Sequence, residues 1–313
     1  MKILLAQTGF IGDVILSSPV IQALRELYPD AEIDLLTTPL AAPLFAAHAE
    51  LKKVIIFDKR ASRKGFRGLL KMAADLRREQ YAAVFSLHKS ARSALLYWLA
   101  GIPQRYGFRE AALPWLYSDT ARRSDLPHDV LRNLAILRNL GREPESFTGE
   151  LSIVLSDEAR ASAAELLGRV SDSQRLVAIA PGSVWATKRW HVEGFIEVVR
   201  ILLAQNFTVV LLGGPEDQAL GEQIQQAHSG TDEIVNLIGR TSLPVSAAVI
   251  ARAALLLSND SAPLHLGSAV KTPVVAIFCA TVPEFGFGPW RVEHAVVGVS
   301  GLSCRPCGRH GGN

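Results

Sequence analysis

The sequence predicts an α/β protein of two tandem halves, each a parallel sheet covered by helices. Three observations predict this. Short apolar runs alternate with helical patterns along the whole chain. The alternation loosens around residues 119–156 and then starts afresh. The longest apolar runs, such as residues 273–282 (PVVAIFCATV), are continuous, as in strands buried on both faces.

In the first half, strands are predicted at residues 2–7 (KILLAQ), 32–38 (EIDLLTT), 53–58 (KVIIFD) and 82–87 (AAVFSL). Helical spacing covers 14–27, 66–79 and 90–100. Pro127, Pro144 and Gly149 then interrupt the pattern. In the second half, strands are predicted at 176–180, 208–212, 234–237, 254–258 and 274–278. Helices are predicted at 192–204, 216–227, 244–253 and 262–269. These halves imply two Rossmann-like domains, 1–155 and 156–313, with parallel sheets facing across a cleft. Ligands of such sheets bind beyond the carboxyl ends of the strands, so chemistry is sought in the loops that follow them.

The chain has 313 residues and is 49% hydrophobic and 20% charged, ample for two cores of this size. No apolar run approaches the roughly 20 residues that span a bilayer. Lys2 before an apolar run imitates a leader, but Gln7, Thr8 and Asp13 interrupt it, which points to the first strand of a cytoplasmic protein. Three cysteines, Cys279, Cys304 and Cys307, argue against a secreted disulfide scaffold.

Net charge is +3, unevenly spread: residues 1–150 hold 21 Lys and Arg against 16 Asp and Glu, the remainder 12 against 14. The first half suits an anionic partner, and the total is too small to argue for nucleic acid. Much of the excess lies in residues 59–78, where Phe66, Leu69, Leu70, Ala73, Ala74 and Leu76 suit one helical face amid basic residues. That pattern fits a solvated surface helix or contact with a phosphorylated or membrane-surface partner.

Five constellations could carry chemistry. Gly9-x-x-Gly12-Asp13 follows the first strand and lacks both the dinucleotide and the P-loop fingerprints. Asp13 fits either a first-turn carboxylate favoured by the helix dipole or a general base. Pro181–Trp190 offers Ser183 and Thr187 as donors and Lys188 and Arg189 as adjacent cations, suited to a diphosphate. In Ser258–His265, Ser261 is a predicted N-cap, the amides of Ser261 and Ala262 could hold phosphate or sugar oxygens, and Asp260 could accept from hydroxyls. His265 lies one turn on, either packed or functional. Glu216 in the Gly213–Asp217 turn fits ribose hydroxyls or a helix start equally well. Cys304-x-x-Cys307, with His310 nearby, lacks a fourth zinc ligand and a thioredoxin-like setting, so a structural role is expected. No metal site is expected elsewhere. Asp30, Glu32 and Asp34 alternate at a strand start and are expected to face water.

Together the stretches GDVILSSPVIQALRELYPDAEIDLLT, APGSVWATKRW, LLGGPED, NLIGRTSL, LLLSNDSAPLHLGSA and CRPCGRHGG resemble the ADP-heptose:lipopolysaccharide heptosyltransferases of glycosyltransferase family 9. The terminal and NDSAPLH stretches look most like the heptosyltransferase II branch. The resemblance implies a GT-B architecture and inverting transfer without an obligatory metal or cofactor. It implies ADP-L-glycero-D-manno-heptose bound by the C-terminal domain. The acceptor, an inner-core lipid A-linked oligosaccharide already carrying one heptose, would meet the N-terminal domain at the cytoplasmic surface of the inner membrane. It makes Asp13 the base beside an acceptor loop containing Gly9 and Gly12. Lys188 would contact the diphosphate, joined by Arg189, with Asp260, Ser261 and Ala262 at phosphate and sugar and Glu216 near the nucleoside. The family turn often has Gly where this chain has Ala262. The family also usually continues beyond Gly311–Asn313, which implies a further segment packing on the first domain. Two rivals remain: a nucleotide-sugar 2-epimerase of the same layout, and a nucleotide-sugar-binding module without turnover.

Overall fold

The computed structural model describes residues 1–58, 65–168 and 175–308. It divides into two compact units, Met1–Val154 and Leu155–Asn313.

The first unit is a parallel sheet of β1 (Lys2–Ala6), β2 (Glu32–Thr37), β3 (Lys53–Ile56), β4 (Ala83–Ser86), β5 (Gln104–Phe108) and β6 (Asp119–Ala121), ordered β3-β2-β1-β4-β5-β6. Its helices are α1 (Ile11–Leu16), α2 (Pro19–Leu27), α3 (Gly65–Arg78), α4 (Ala91–Leu99) and α5 (Asp129–Leu134). Ile3, Leu4, Leu5 and Ala6 are wholly buried, which places β1 at the centre. The strand order reverses between β1 and β4, so this is the sheet's switch point.

The helix predicted at 14–27 is two helices. The hydroxyls of Ser17 and Ser18 donate back to the carbonyls of Val14 and Ile15, both at 2.7 Å, and Pro19 cannot extend the ladder. The segment with loosened spacing holds β6 and α5, too short to show a period, and β5, ahead of it, is a strand that the apolar spacing does not mark. Asp34 does not face water as Asp30 and Glu32 do. It is fully buried on β2, accepts from the Tyr81 hydroxyl at 2.6 Å and lies 3.6 Å from the Lys2 ammonium. In α3, Leu69, Met72, Ala73 and Leu76 face the core, whereas Phe66, Leu70 and Ala74 form a stripe on the solvent side. The predicted single apolar face is therefore divided, because the basic residues between the two sets are exposed as well. Residues 59–64 of the basic stretch lie outside the described residues.

The second unit repeats the plan: β7 (Leu176–Ala180), β8 (Thr208–Leu211), β9 (Ile234–Asn236), β10 (Leu255–Asn259), β11 (Val274–Ile277) and β12 (His294–Val297), ordered β12-β11-β10-β7-β8-β9, all parallel. Its helices are α6 (Asp157–Leu167), α7 (Val192–Ala204), α8 (Gln218–Ala227), α9 (Leu243–Arg252) and α10 (Ala262–Ala269). The Ser156 hydroxyl caps α6 by accepting from the Ala159 amide, and the His191 ring caps α7 by accepting from the Gly194 amide. The core joins β7 and β8 to Phe195, Val199 and Ile224 of the covering helices. Here the order reverses between β7 and β10. Edge strand β12 is exposed along its length and carries no burial signal.

Candidate functional site

Each unit gathers polar groups at its switch point. In the first unit, β1 ends at Ala6 and the chain turns through Thr8–Phe10 into α1. Asp13 lies in the first turn and its Oδ2 accepts from the Phe10 amide at 3.0 Å. Gly9 leaves room for this carboxylate: a Cβ there would lie 2.7 Å from that same oxygen and force it to shift. Gly12 is half-buried within the first turn of α1. Asp13 is thus a first-turn carboxylate satisfying a helix amide, yet it keeps partial access to solvent.

Its surroundings change its chemistry. Burial, then the negative charge of Asp129, pushes the Asp13 carboxyl up to about 6; the Phe10 amide, Arg123 and Lys89 pull the other way. Asp129, absent from the sequence reasoning, is buried at the start of α5. It pairs with Arg123 at 2.5 Å and accepts from Asn133, whose amide also donates to the Leu16 carbonyl at the end of α1. The two helices are tied together beside the Asp13 turn. The sequence signal was faint: α5 has only six residues in a stretch without a clear period.

In the second unit, the loop after β7 and the turn after β10 meet. Lys188 Nζ lies 2.7 Å from Asp260 Oδ2, with both side chains largely buried. Asp260 Oδ2 also accepts from the Thr281 hydroxyl at 2.6 Å. The two adjacent cations of this loop are both engaged within the unit. Lys188 is neutralised by Asp260, and Arg189 Nε donates to the Ser183 carbonyl at 2.6 Å, closing the loop on itself. Ser183 is buried, and Thr187 is exposed on the turn Ala186–Lys188.

Asn259, fully buried at the end of β10, is a residue the sequence reasoning missed. Its amide donates to the Pro181 carbonyl at 2.7 Å and its oxygen accepts from the Trp190 amide at 3.0 Å, stitching both ends of the loop to β10. Ser261 occupies the N-cap of α10, but its side chain makes no cap hydrogen bond; its hydroxyl instead donates to the Asn259 carbonyl at 3.4 Å. Ser261 and Ala262 are half-exposed, leaving this helix start accessible, and His265 is buried one turn on.

Glu216 is exposed on the turn after β8. Its neighbour Asp217 is the buried carboxylate: its Oδ2 accepts from the Gly214 amide at 3.1 Å, it packs against Gly182, and burial raises its pKa. Cys279, Cys304 and Cys307 are free thiols, and His310 lies outside the described residues. Among the described residues, no helix is long and apolar enough to cross a membrane.

The sequence profile of glycosyltransferase family 9 (heptosyltransferase) matches residues 69–311. Lipopolysaccharide heptosyltransferase 3 of Escherichia coli is 31% identical over 294 residues, covering 89% of this chain and 82% of that protein. Lipooligosaccharide heptosyltransferase 2 of Haemophilus influenzae is 27% identical over 295 residues, covering 91% and 85%. The fold matches a family 9 glycosyl transferase from Veillonella parvula with a TM-score of 0.89 at 24% identity, over 98% of this chain and 90% of that one. The ADP-heptose heptosyltransferase II of E. coli gives 0.82 at 24%, over 98% and 96%. The two parallel sheets thus share the α/β fold of the GT-B heptosyltransferases. With the family profile covering most of its length, this chain belongs to glycosyltransferase family 9 and is a glycosyltransferase.

Proposed function

We propose that the enzyme transfers L-glycero-D-manno-heptose from ADP-heptose, with inversion, to a heptose-bearing inner-core oligosaccharide on lipid A. The observation that carries this reading is Asp13: a carboxylate at the switch point of the first sheet, partly open to solvent, with its proton affinity raised to about 6. A base of that strength is ionised at neutral pH and still takes up a proton in the transition state. The acceptor hydroxyl gives its proton to Asp13 as its oxygen bonds to the anomeric carbon. The bond from that carbon to the diphosphate breaks, and ADP leaves with the electron pair.

The first unit takes the acceptor and the second the donor. Lys188 exchanges part of its pairing with Asp260 for the diphosphate, joined by the amides of Ser261 and Ala262 and by Arg189, and charge building on the leaving group is met by fixed positive groups. Ser183 and Thr187 contribute donors to the same loop, Glu216 faces the nucleoside, and His265 supports the start of α10 from within. The names of the relatives support heptose as the sugar and lipopolysaccharide as the acceptor class. The exposed stripe Phe66, Leu70 and Ala74, beside Arg67 and Lys71, supports peripheral contact with the anionic cytoplasmic face of the inner membrane.

Incubation with ADP-heptose and the heptose-bearing acceptor, read by mass spectrometry, tests the reading. The expected product is the acceptor enlarged by one heptose, with release of ADP. An epimerised sugar nucleotide formed without acceptor would overturn it in favour of an epimerase.

A further inference from the structure

The Cys304–Cys307 turn has no part in the chemistry described so far, yet it is anchored on the donor-side turn, chiefly through Arg305. Arg305 is half-buried while the residues around it are exposed. Its Nε and Nη2 both donate to the Thr281 carbonyl, at 3.1 and 2.8 Å, and Nη2 also reaches the Phe278 carbonyl at 3.0 Å. Nη1 donates to the Val299 carbonyl. The Cys307 amide adds a bond to the Ala280 carbonyl at 2.9 Å. Gly298 leaves the guanidinium its space, since a Cβ there would lie 2.7 Å from Nη2.

The residue held in this way spends its own side chain on the donor site. The Thr281 hydroxyl donates at 2.6 Å to Asp260 Oδ2, the oxygen that pairs with Lys188. Oδ2 therefore has two partners, one cationic and one neutral, and the neutral one is fixed from behind by a planar fork of donors. A guanidinium holds such a carbonyl cluster in a single orientation, which an ammonium cannot.

We propose that Thr281 and Arg305 are positioning residues: Arg305 fixes the turn after β11, and Thr281 through its hydroxyl holds Asp260 so that Lys188 stands where a nucleoside diphosphate is bound. The proposal deepens the reading of this turn as the donor site and rests on it for the identity of the ligand. The Cys304–Cys307 turn thereby gains a function as the mount for Arg305, independent of its thiols.

Two measurements on the full-length protein test it. The first needs no ligand: acetylation of Lys188 by an N-hydroxysuccinimide ester, followed by peptide mass spectrometry. Thr281→Val and Arg305→Met each raise the Lys188 rate several-fold over wild type, while Thr281→Ser, which restores the hydroxyl, brings it back to the wild-type rate. The second is calorimetry with ADP. Thr281→Val and Arg305→Met weaken binding about tenfold, the factor expected for a lost charge-assisted contact, and Thr281→Ser stays within about twofold. Thermal unfolding of each variant identifies any that fails to fold, and Thr281→Val, nearly isosteric, is the decisive one. Unchanged acetylation in folded Thr281→Val overturns the inference whatever the ligand proves to be. ADP that fails to bind wild type overturns the donor reading instead, and acetylation still judges the positioning.

Discussion

Lys188 and Asp260 pair at 2.7 Å between two turns that follow neighbouring strands, β7 and β10, at the reversal of strand order in the second sheet. Neither turn alone makes a site; the topology brings them together. Lys188→Ala leaves Asp260 nearly buried with the Thr281 hydroxyl as its remaining side-chain partner, and should cost about 3 kcal/mol in urea unfolding. Lys188→Ala with Asp260→Ala should cost less than the two single changes summed, because the stranded charge is gone. The same single variant should weaken ADP binding at least about tenfold by calorimetry. Unchanged affinity would contradict the proposal that Lys188 binds the donor.

The pH profile follows from Asp13. If Asp13 is the base, its ionised form is the active one; with its pKa raised to about 6, kcat/KM should be level above that pH and fall about tenfold per unit below it. Asp129 contributes to the rise. Asp129→Asn removes that negative charge and leaves Arg123 unpaired, and both changes should move the acidic limb to lower pH. A limb that stays in place would show that some other group sets it.

Asp13 should also cost stability. A carboxyl whose folded pKa exceeds its unfolded value of 3.8 is a burden on the fold when ionised. The burden is complete above about 6 and is relieved as pH falls from there toward 3.8. Asp13→Asn, which keeps an oxygen for the Phe10 amide, should therefore stabilise the protein at pH 8 by on the order of 1 kcal/mol. The gain should shrink through that window in melting curves recorded at several pH values.

Asn259 holds both ends of the loop after β7 from a fully buried position. Asn259→Ala should cost about 2 kcal/mol, since it leaves the Pro181 carbonyl and the Trp190 amide without their side-chain partner. Asn259→Asp should cost more, because it aims a carboxylate at a carbonyl. Denaturant unfolding of both variants would decide the order.

The central elements were legible because strands buried on both faces write themselves as solid apolar runs: β7, α7 and α10 lie where the sequence places them. Most of what escaped was short or on an edge, while β5, inside the sheet, escaped because its polar sequence QRYGF carries no solid apolar run. β12 is exposed throughout, β6 has three residues and α5 six, too few for a period to emerge. The break between α1 and α2 turned on two serine hydroxyls bonding backwards, a local choice that apolar spacing does not record. In the candidate site, the sequence marked the loops rich in polar groups but not the pairings within them. Lys188 and Asp260 are 72 positions apart, and only the β7–β10 adjacency joins them. Asp34 was misplaced for a similar reason: its neutralising lysines come from β1 and β3. Asp217 was overlooked beside Glu216, since a doublet of carboxylates does not say which one turns inward.

The most direct test of the central claim is single-turnover transfer by Asp13→Asn, with ADP-heptose and the heptose-bearing acceptor, alongside its affinity for ADP. If Asp13 is the base, turnover falls by roughly a thousandfold while ADP affinity stays within about twofold of wild type. Turnover comparable to wild type would contradict the account.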